Sequence, residues 1–199
     1  MNKIGIDFDN TIVSYDNLFH KIALEEKLIS LDFPKSKILI RNYLRKNNKD
    51  ELFTMIQAEV YGKRILEASP APNVNLVIKE LINLGWNVFI ISHKSLYPYK
   101  GPKYDLHKSA MLWLDKNKFF EDDNVGISRD KVYFNVTKEE KINKIDTLGC
   151  DYFIDDLPEI LRLINKKTIK ILYNPENNYK YDEYIILNKW KNLIKILKI

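Results

Sequence analysis

Short apolar runs, each four to five residues long and bounded by polar residues, recur along the 199-residue chain. Runs of this length and composition are typical of buried β-strands. The predicted strands are residues 4–8, 88–92, 132–135, 152–155 and 169–173. Helical patterns alternate with the later runs, at residues 73–84, 105–117 and 137–148. This alternation predicts an α/β fold of the Rossmann-like type, in which a mostly parallel sheet is sandwiched by helices.

The first two predicted strands are separated by far more chain than one crossover requires. Within this interval, residues 15–68 contain no convincing strand and three helical patterns, at 18–28, 35–46 and 51–67. Pro70 and Pro72 in the stretch SPAPNV then favour a hinge where the insertion ends. The pattern therefore predicts two parts, a core of residues 1–14 and 69–199 and an inserted helical part of residues 15–68.

The C-terminal stretch NKWKNLIKILKI places its apolar side chains on one helical face, with lysines around the other. These side chains are Trp190, Leu193, Ile194 and Leu197. The pattern predicts a terminal helix packed on the sheet, and a helix lying on a membrane surface is the alternative. Because basic amphipathic helices are common in soluble domains, we favour the packed helix.

The composition is that of an ordinary globular protein, with 45% hydrophobic and 30% charged residues. The start of the chain has no signal-peptide pattern, and no window of about 18 apolar residues predicts a membrane span. We therefore expect a cytoplasmic protein with no membrane partner, and the single Cys150 excludes an internal disulfide. The net charge of +5 comes from lysines spread along the chain, so nucleic-acid binding is not expected.

Carboxylates follow two of the predicted strands at the points where these strands end. Asp7 and Asp9 lie one residue apart at the end of the first strand, and Asp155 and Asp156 end the strand in YFIDD. In a parallel sheet these strand ends lie at one edge, where the ligands of open α/β sheets bind. Close carboxylates repel one another unless a cation lies among them. Carboxylate oxygens are ligands that Mg²⁺ prefers, so the sequence predicts a magnesium site.

Two further features are suited to binding a phosphate group. Ser92 ends the second predicted strand and is followed by His93 and Lys94, which together offer a hydroxyl and backbone N–H groups to an anion. The stretch TKEEK, from residue 137, has the capping-box pattern and puts Lys138 and Lys141 in the first turn of a helix. A helix N-terminus with a lysine is a suitable phosphate site.

These motifs resemble those of the haloacid dehalogenase (HAD) superfamily, most members of which are Mg²⁺-dependent phosphatases. The resemblance lies in DFDNT at residues 7–11, the strand-final Ser92, a lysine before LGCD and the strand-final pair in FIDD, in the family's order. It covers roughly residues 1–14 and 69–175, and the helical insertion resembles the cap of the family. The resemblance therefore implies a HAD-like core, an α-helical cap and phosphatase activity.

The resemblance also implies roles for single residues. Asp7 is the implied nucleophile, which forms an aspartyl-phosphate, and Asp9 is the implied general acid and base. Relatives that act on halides or carbon–phosphorus bonds lack this second aspartate, so its presence favours phosphate esters. The implied Mg²⁺ ligands are Asp7, the backbone carbonyl of Asp9 and the motif that contains Asp155 and Asp156. Either aspartate of this motif can be the direct ligand, and Asp156 aligns better with the aspartate of relatives whose motif is Gly-Asp. The implied phosphate-binding residues are Ser92, His93, Asn10, Thr11, which also helps to set the loop, and a lysine. We prefer Lys141 to Lys138, because its spacing to Gly149 matches the helix of the family.

A cap that closes over the site favours a small phosphorylated metabolite, either a sugar phosphate or a nucleotide. Three alternatives stay open. The first is a phosphatase acting on nucleic-acid ends. It is suggested by the basic charge of the chain and by the similarity of IDDLPEI to the last motif of that branch of the family. A phosphomutase uses the same pair of aspartates, and a binding module retains the fold without catalysis.

Gln57, Tyr61 and Arg64 lie at helical spacing in FTMIQAEVYGKRI, so one helix would present them on one face. They either contact the leaving group of the substrate from the cap or form an exposed polar edge. His93, which directly follows Ser92, is a further candidate for a substrate contact.

Overall fold

Strands and helices alternate along residues 1–176 and 182–199, which the computed structural model describes. The strands are β1 Lys3–Ile6, β2 Val13–Ser14, β3 Ser69–Pro70, β4 Asn87–His93, β5 Val132–Asn135, β6 Tyr152–Asp155, β7 Ile169–Tyr173 and β8 Ile185–Leu187. The α-helices are α1 Asp16–Glu25, α2 Lys37–Lys46, α3 Asp50–Ala58, α4 Val74–Asn83, α5 Leu106–Lys116, α6 Lys138–Leu148, α7 Pro158–Leu163 and α8 Leu193–Leu197. Three 3₁₀-helical turns and a π-helical turn complete the described elements, at Ile65–Glu67, Arg129–Lys131, Trp190–Asn192 and Glu59–Lys63.

Six strands form one parallel sheet in the order β5-β4-β1-β6-β7-β8. β1 lies inside this sheet, with Ile4 in register with Val88 of β4 on one side and with Tyr152 of β6 on the other. β1 and β6 are almost wholly buried, which explains their continuous apolar sequences. The predicted α/β fold with a parallel sheet is confirmed. Because the strands are parallel, the C-terminal ends of β4, β1 and β6 lie together at one edge.

Local sequence explains where the helices beside the sheet begin and end. The backbone N–H of Glu140 donates to the Thr137 hydroxyl, and the Glu140 carboxylate accepts from the backbone N–H of Thr137, so α6 begins with the predicted capping box. Gly149 ends α6 in the left-handed conformation, at a φ of 64°. Gly85, with a φ of 80°, follows α4 in the same way. Both glycines therefore directly follow the helices predicted over residues 73–84 and 137–148.

The C-terminal segment packs on the rest of the core. It forms a 3₁₀-helical turn followed by α8, and both contact α4. Trp190 and Leu193 are fully buried, and the indole N–H of Trp190 donates to the backbone carbonyl of Thr11 at 3.1 Å. These contacts favour the packed helix over the membrane-surface helix. None of the helices in the described part of the chain has the length and apolar content that crossing a bilayer requires.

The chain divides into two compact units. The core unit consists of Met1–Val13, Pro70–Lys94 and Asn117–Ile199, and the helical unit consists of Ser14–Ser69 and Ser95–Lys116. The predicted insertion, residues 15–68, lies in the helical unit, but so does Ser95–Lys116, which we assigned to the core from the sequence. In this segment the Trp113 indole donates to the carbonyl of Ala68 at 2.9 Å. Such a contact joins residues 45 positions apart, so local patterns do not reveal it.

The prediction of one continuous helix over residues 51–67 is wrong. α3 ends at Ala58 and is followed by the π-helical turn, in which the backbone N–H of Arg64 donates to the carbonyl of Glu59 at 2.8 Å. Gly62 in this turn lies against Tyr104, and a Cβ on Gly62 would be 2.5 Å from Cδ2 of that ring. The close packing of Gly62 and Tyr104 accompanies the departure from regular helix.

Candidate active site

Asp7 follows β1 directly, at the C-terminal edge of the sheet. Its backbone N–H donates to the carbonyl of Ile154 at 2.9 Å, which extends the pairing of β1 with β6 by one residue. Its side chain is buried, and Oδ1 accepts hydrogen bonds from Ser92 Oγ at 2.9 Å and from Lys141 Nζ at 2.6 Å. Side chains that follow β1, end β4 and begin α6 therefore meet at one carboxylate oxygen.

Lys141 joins two carboxylates. Its Nζ lies 2.6 Å from Asp7 Oδ1 and 2.6 Å from Asp155 Oδ2, and only 2% of its side chain is exposed. Burial by itself lowers the pKa of Lys141, but the charges of Asp7 and Asp155 outweigh burial and raise this pKa above its usual value. The ammonium group is therefore charged at neutral pH. Lys138, the other candidate from the sequence, is exposed at the start of α6.

Asp155 is the last residue of β6, and Asp156 follows it. Asp155 is fully buried, and its Oδ1 accepts a hydrogen bond from the backbone N–H of Leu157 at 2.9 Å. Burial raises the pKa of Asp155, and the charge of Lys141 opposes this rise. One carboxylate oxygen from each of Asp7, Asp155 and Asp156 lies within 4.8 Å of the others. We call these three residues the acidic cluster.

Asp9 has a different partner. Both of its carboxylate oxygens lie 2.8 Å from Nζ of Lys94, which is almost completely buried. From the sequence we considered Lys94 only for its backbone N–H, so this ion pair was missed. The signal that could have found it is alternation along a strand, because Ser92 and Lys94 are two residues apart, as are Asp7 and Asp9. Ser92 binds Asp7, and Lys94 binds Asp9.

The loop after β1 carries two of the remaining predicted phosphate ligands, Asn10 and Thr11. Asn10 has a φ of 58°, in the left-handed region, and the turn closes with a hydrogen bond from the backbone N–H of Ile12 to the carbonyl of Phe8 at 3.0 Å. Thr11 is fully buried, and its hydroxyl oxygen has no hydrogen-bond partner among the residues that the structure describes. That Thr11 helps to set the loop stays a prediction. His93 is half-buried at the end of β4.

Gln57, Tyr61 and Arg64 all lie in the helical unit. The Tyr61 ring packs edge-on in an aromatic cluster of that unit. The Arg64 guanidinium forms ion pairs with Glu67 and Glu25, which raise the pKa of Arg64. Gln57 is half-buried in α3. Because α3 ends at Ala58, no single regular helix carries all three of these residues.

Two relatives match most of this chain in sequence. A protein named "Putative nucleotidase" from Bacillus cereus is 22% identical over 98% of this chain and 98% of its own length. A second protein with that description, from Oceanobacillus iheyensis, is 25% identical over 89% of this chain and 88% of its own. No model of a known protein family matches the chain.

Solved structures show the same architecture over the whole chain. A HAD-superfamily hydrolase from Ehrlichia chaffeensis superposes with a TM-score of 0.58 at 11% identity, over 100% of this chain and 98% of that one. A protein described as "the putative HAD-hydrolase YfnB from Bacillus subtilis bound to magnesium" gives a TM-score of 0.56 at 11% identity, over 100% of this chain and 99% of that one. This chain has the fold of the HAD hydrolases. The HAD-like fold implied by the sequence motifs is therefore confirmed.

In the HAD-like fold of this chain, the acidic cluster has the donor set that Mg²⁺ requires. Mg²⁺ binds oxygen atoms at about 2.1 Å, so two of its ligands lie at most about 4.2 Å apart. The three carboxylate oxygens lie within 4.8 Å of one another, which is close to this limit. Asp7 and Asp155 share the ammonium group of Lys141 and together retain negative charge that a cation compensates. The residues present therefore fit Mg²⁺.

Proposed function

We propose that this chain is a Mg²⁺-dependent phosphatase that hydrolyses a phosphate monoester through an aspartyl-phosphate on Asp7. The observation that carries the proposal is the environment of Asp7 Oδ1, which Ser92 and Lys141 bind beside Asp155 and Asp156. A nucleophile must be held in one orientation, and these two donors hold Asp7. The same donors can bind phosphoryl oxygens, on which charge is concentrated in the transition state.

In the first step, Asp7 attacks phosphorus, and the bond between phosphorus and the leaving-group oxygen breaks. Ser92 and Lys141 both bind Oδ1 of Asp7, so we assign the attack to Oδ2. Asp9 donates its proton to the leaving oxygen, which departs as an alcohol. This step leaves an aspartyl-phosphate on Asp7 and an ionised Asp9.

In the second step, water attacks the phosphorus of the aspartyl-phosphate. Asp9 accepts a proton from this water and returns to its protonated form, so it acts as a base here and as an acid before. The bond between Asp7 and phosphorus breaks, which releases inorganic phosphate and restores the Asp7 carboxylate. Lys141 stabilises the departing carboxylate, because its ammonium group binds Oδ1 of Asp7.

Asp7, Asp155 and Asp156 are the side chains that would hold Mg²⁺, together with the backbone carbonyl of Asp9. When bound, the ion supplies positive charge that reduces the repulsion between these carboxylates and the phosphate group. Asp155 is already held on both sides, by Lys141 and by the backbone N–H of Leu157. This support keeps one carboxylate of the cluster in a single orientation.

We propose a small phosphorylated metabolite as the substrate and, within this class, a nucleotide. Both sequence relatives carry a nucleotidase name and match most of this chain, which supports a nucleotide over a sugar phosphate. That the helical unit acts as a cap, and that Gln57, Tyr61 or Arg64 contacts the leaving group, stays a prediction. The following experiment identifies a nucleic-acid-end phosphatase by its substrate, whereas a phosphomutase or a binding module would release no phosphate from the panel.

The test is phosphate release from a panel of nucleoside monophosphates, sugar phosphates and 3′-phosphorylated oligonucleotides, with Mg²⁺ or with a chelator. We expect Mg²⁺-dependent release from nucleotides and loss of at least a thousandfold in Asp7→Asn. Asp123→Asn, the same change at an exposed aspartate, is the matched control and should retain full activity. Release by Asp7→Asn at more than a few per cent of the wild-type rate contradicts the proposal. Selective, salt-sensitive activity on oligonucleotide ends supports the alternative substrate.

A further inference from the structure

Lys94 is a buried lysine to which the resemblance to HAD phosphatases gives no role. Its side chain is 3% exposed, and its Nζ lies 5.4 Å from the centroid of the Phe8 ring. Burying an ammonium group is costly unless a carboxylate compensates it. A buried lysine next to a proposed acid–base residue therefore needs a physical explanation.

The ammonium group of Lys94 contacts both carboxylate oxygens of Asp9. Nζ of Lys94 lies 2.8 Å from Oδ1 and 2.8 Å from Oδ2 of Asp9, whose side chain is 23% exposed. A lysine on both oxygens restricts rotation of the carboxylate about its last bond more than a contact with one oxygen does. The partly exposed member of the pair is thus held by the more buried one.

The backbone of Lys94, from which the side chain extends, is itself held by hydrogen bonds. Its backbone N–H donates to the carbonyl of Asn135 at 2.8 Å, beyond the end of β4. The Asn135 side-chain amide donates in turn to the carbonyl of Ser92 at 3.2 Å. Lys94 therefore extends from a segment tied to β5, while Asp9 lies in the loop after β1. A rigid donor is what positioning a carboxylate requires.

We propose that Lys94 is a positioning residue for Asp9, an inference that rests on the proposed phosphatase function. It holds the ionised Asp9 carboxylate, which is the form that acts as the base of the second step, in one orientation toward the attacking water. It also keeps a fourth carboxylate apart from the acidic cluster, where added negative charge would repel Asp7 and the phosphate group. Lys141 and Ser92 bind the nucleophile, and Lys94 binds the acid–base residue.

A different role is direct binding of the phosphate group by Lys94. The two roles differ in what happens when Asp9 is altered. A positioning residue acts through Asp9, so its removal has little effect once Asp9 has lost its function. A phosphate ligand acts independently, so its removal costs the same with or without Asp9.

The experiment is a kinetic double-mutant cycle of Lys94→Met, Asp9→Asn and the double variant, on the best nucleotide of the panel. We expect Lys94→Met to lower kcat at least tenfold, with KM changed less than threefold. In the Asp9→Asn background, the same substitution should change kcat less than threefold. Lys94→Arg, which keeps the charge and two donors, should recover at least threefold in kcat over Lys94→Met. Lys166→Met, at an exposed lysine, is the control and should leave both constants unchanged.

Two kinetic results overturn the proposal. One is a rise in KM at unchanged kcat for Lys94→Met, and the other is an equal loss of kcat with and without Asp9→Asn, since each result identifies a direct phosphate ligand.

A second readout does not require activity. In urea unfolding of the same four proteins, the midpoint shift of the double variant should be smaller than the sum of the single shifts. If the midpoint shifts of the single variants add up to that of the double variant, the result contradicts the pairing of Lys94 with Asp9. In a further outcome, the wild-type protein is inactive on the whole panel while the midpoint shifts of the variants do not add. That result refutes the phosphatase function and the positioning role that depends on it, but it supports the ion pair between Lys94 and Asp9.

Discussion

Nζ of Lys141 lies 2.6 Å from Oδ1 of Asp7, although 134 residues separate the two along the chain. The contact exists because α6 begins at the edge of the sheet where β1 ends, and the Thr137 capping box fixes where this helix starts. The same ammonium group lies 2.6 Å from Oδ2 of Asp155. One lysine therefore connects the proposed nucleophile, the acidic cluster and the packing of α6 on the sheet.

Replacing Lys141 should affect stability as well as activity. Lys141→Met leaves the buried carboxylates of Asp7 and Asp155 without the compensating charge. Removing one partner of a buried ion pair costs about 3–5 kcal/mol, so we expect the free energy of unfolding to fall by about that amount. Urea unfolding without Mg²⁺ measures this loss, and phosphate release should fall at least a hundredfold.

Lys138→Met is the matched control, because it changes the same residue type one turn away, where the side chain is exposed. Its free energy of unfolding should change by less than about 0.5 kcal/mol. Equal destabilisation by the two substitutions would mean that Lys141 stabilises only the helix, and not the buried carboxylates.

Removing Mg²⁺ should lower the melting temperature and abolish activity together. A ligand at a hundred times its Kd stabilises the native state by about 2.7 kcal/mol, so saturating Mg²⁺ should raise Tm and a chelator should reverse the rise. Asp156→Asn removes one charged oxygen from the acidic cluster and should shrink this Mg²⁺-dependent rise. Asp123→Asn should keep it. A rise of the same size in Asp156→Asn would exclude this residue from the site.

The sheet was predictable because its strands are short, apolar and continuous. The predicted segments 132–135, 152–155 and 169–173 coincide with β5, β6 and β7. Burial on both faces removes polar residues from an inner strand such as β6, so the sequence marks it clearly. The short strand β8 was missed, because three residues do not make a pattern that stands out from an ordinary apolar stretch.

The site was predictable to the extent that its residues end strands. Asp7 directly follows β1, Asp155 ends β6 and Ser92 is the second-last residue of β4. Parallel topology then brings these positions to one edge. Lys94 was not predictable in this way. A lysine just after a strand is usually solvated, and what buries this one is the packing of residues far away in sequence, among them Asp9 and Asn135.

A methyl group added at Gly5 should destabilise the core unit. Gly5 lies inside β1, where a Cβ would be 2.6 Å from Cδ2 of Phe153 and 3.2 Å from Cδ1 of Ile91. Both neighbours are fully buried, so neither can move into solvent. Overpacking of this kind costs about 1–3 kcal/mol, which urea unfolding of Gly5→Ala should show. If the clash is the cause, Phe153→Leu added to Gly5→Ala should cost less than the sum of the single losses.

Acid should weaken the helical unit through Glu67. Hydrogen bonds from Arg64 and Lys21 lower the pKa of Glu67 from an ordinary 4.5 to about 2. A carboxyl whose pKa is lower in the folded state stabilises that state above pH 4.5, and this contribution is lost as the pH falls from 4.5 to 2. Glu67 is partly exposed, and exposed ion pairs contribute roughly 0.2–1 kcal/mol each, so the total should be about 1 kcal/mol.

The measurement is the free energy of unfolding of wild type and Glu67→Gln between pH 6 and pH 2.5. The variant should be less stable by about 1 kcal/mol at pH 6, and the difference should shrink steadily below pH 4.5 as the wild-type carboxyl gains its proton. Glu26→Gln, at an exposed glutamate in the same unit, should track the wild type throughout. A difference between wild type and Glu67→Gln that persists unchanged to pH 2.5 would mean that packing of the side chain, and not its charge, stabilises the helical unit.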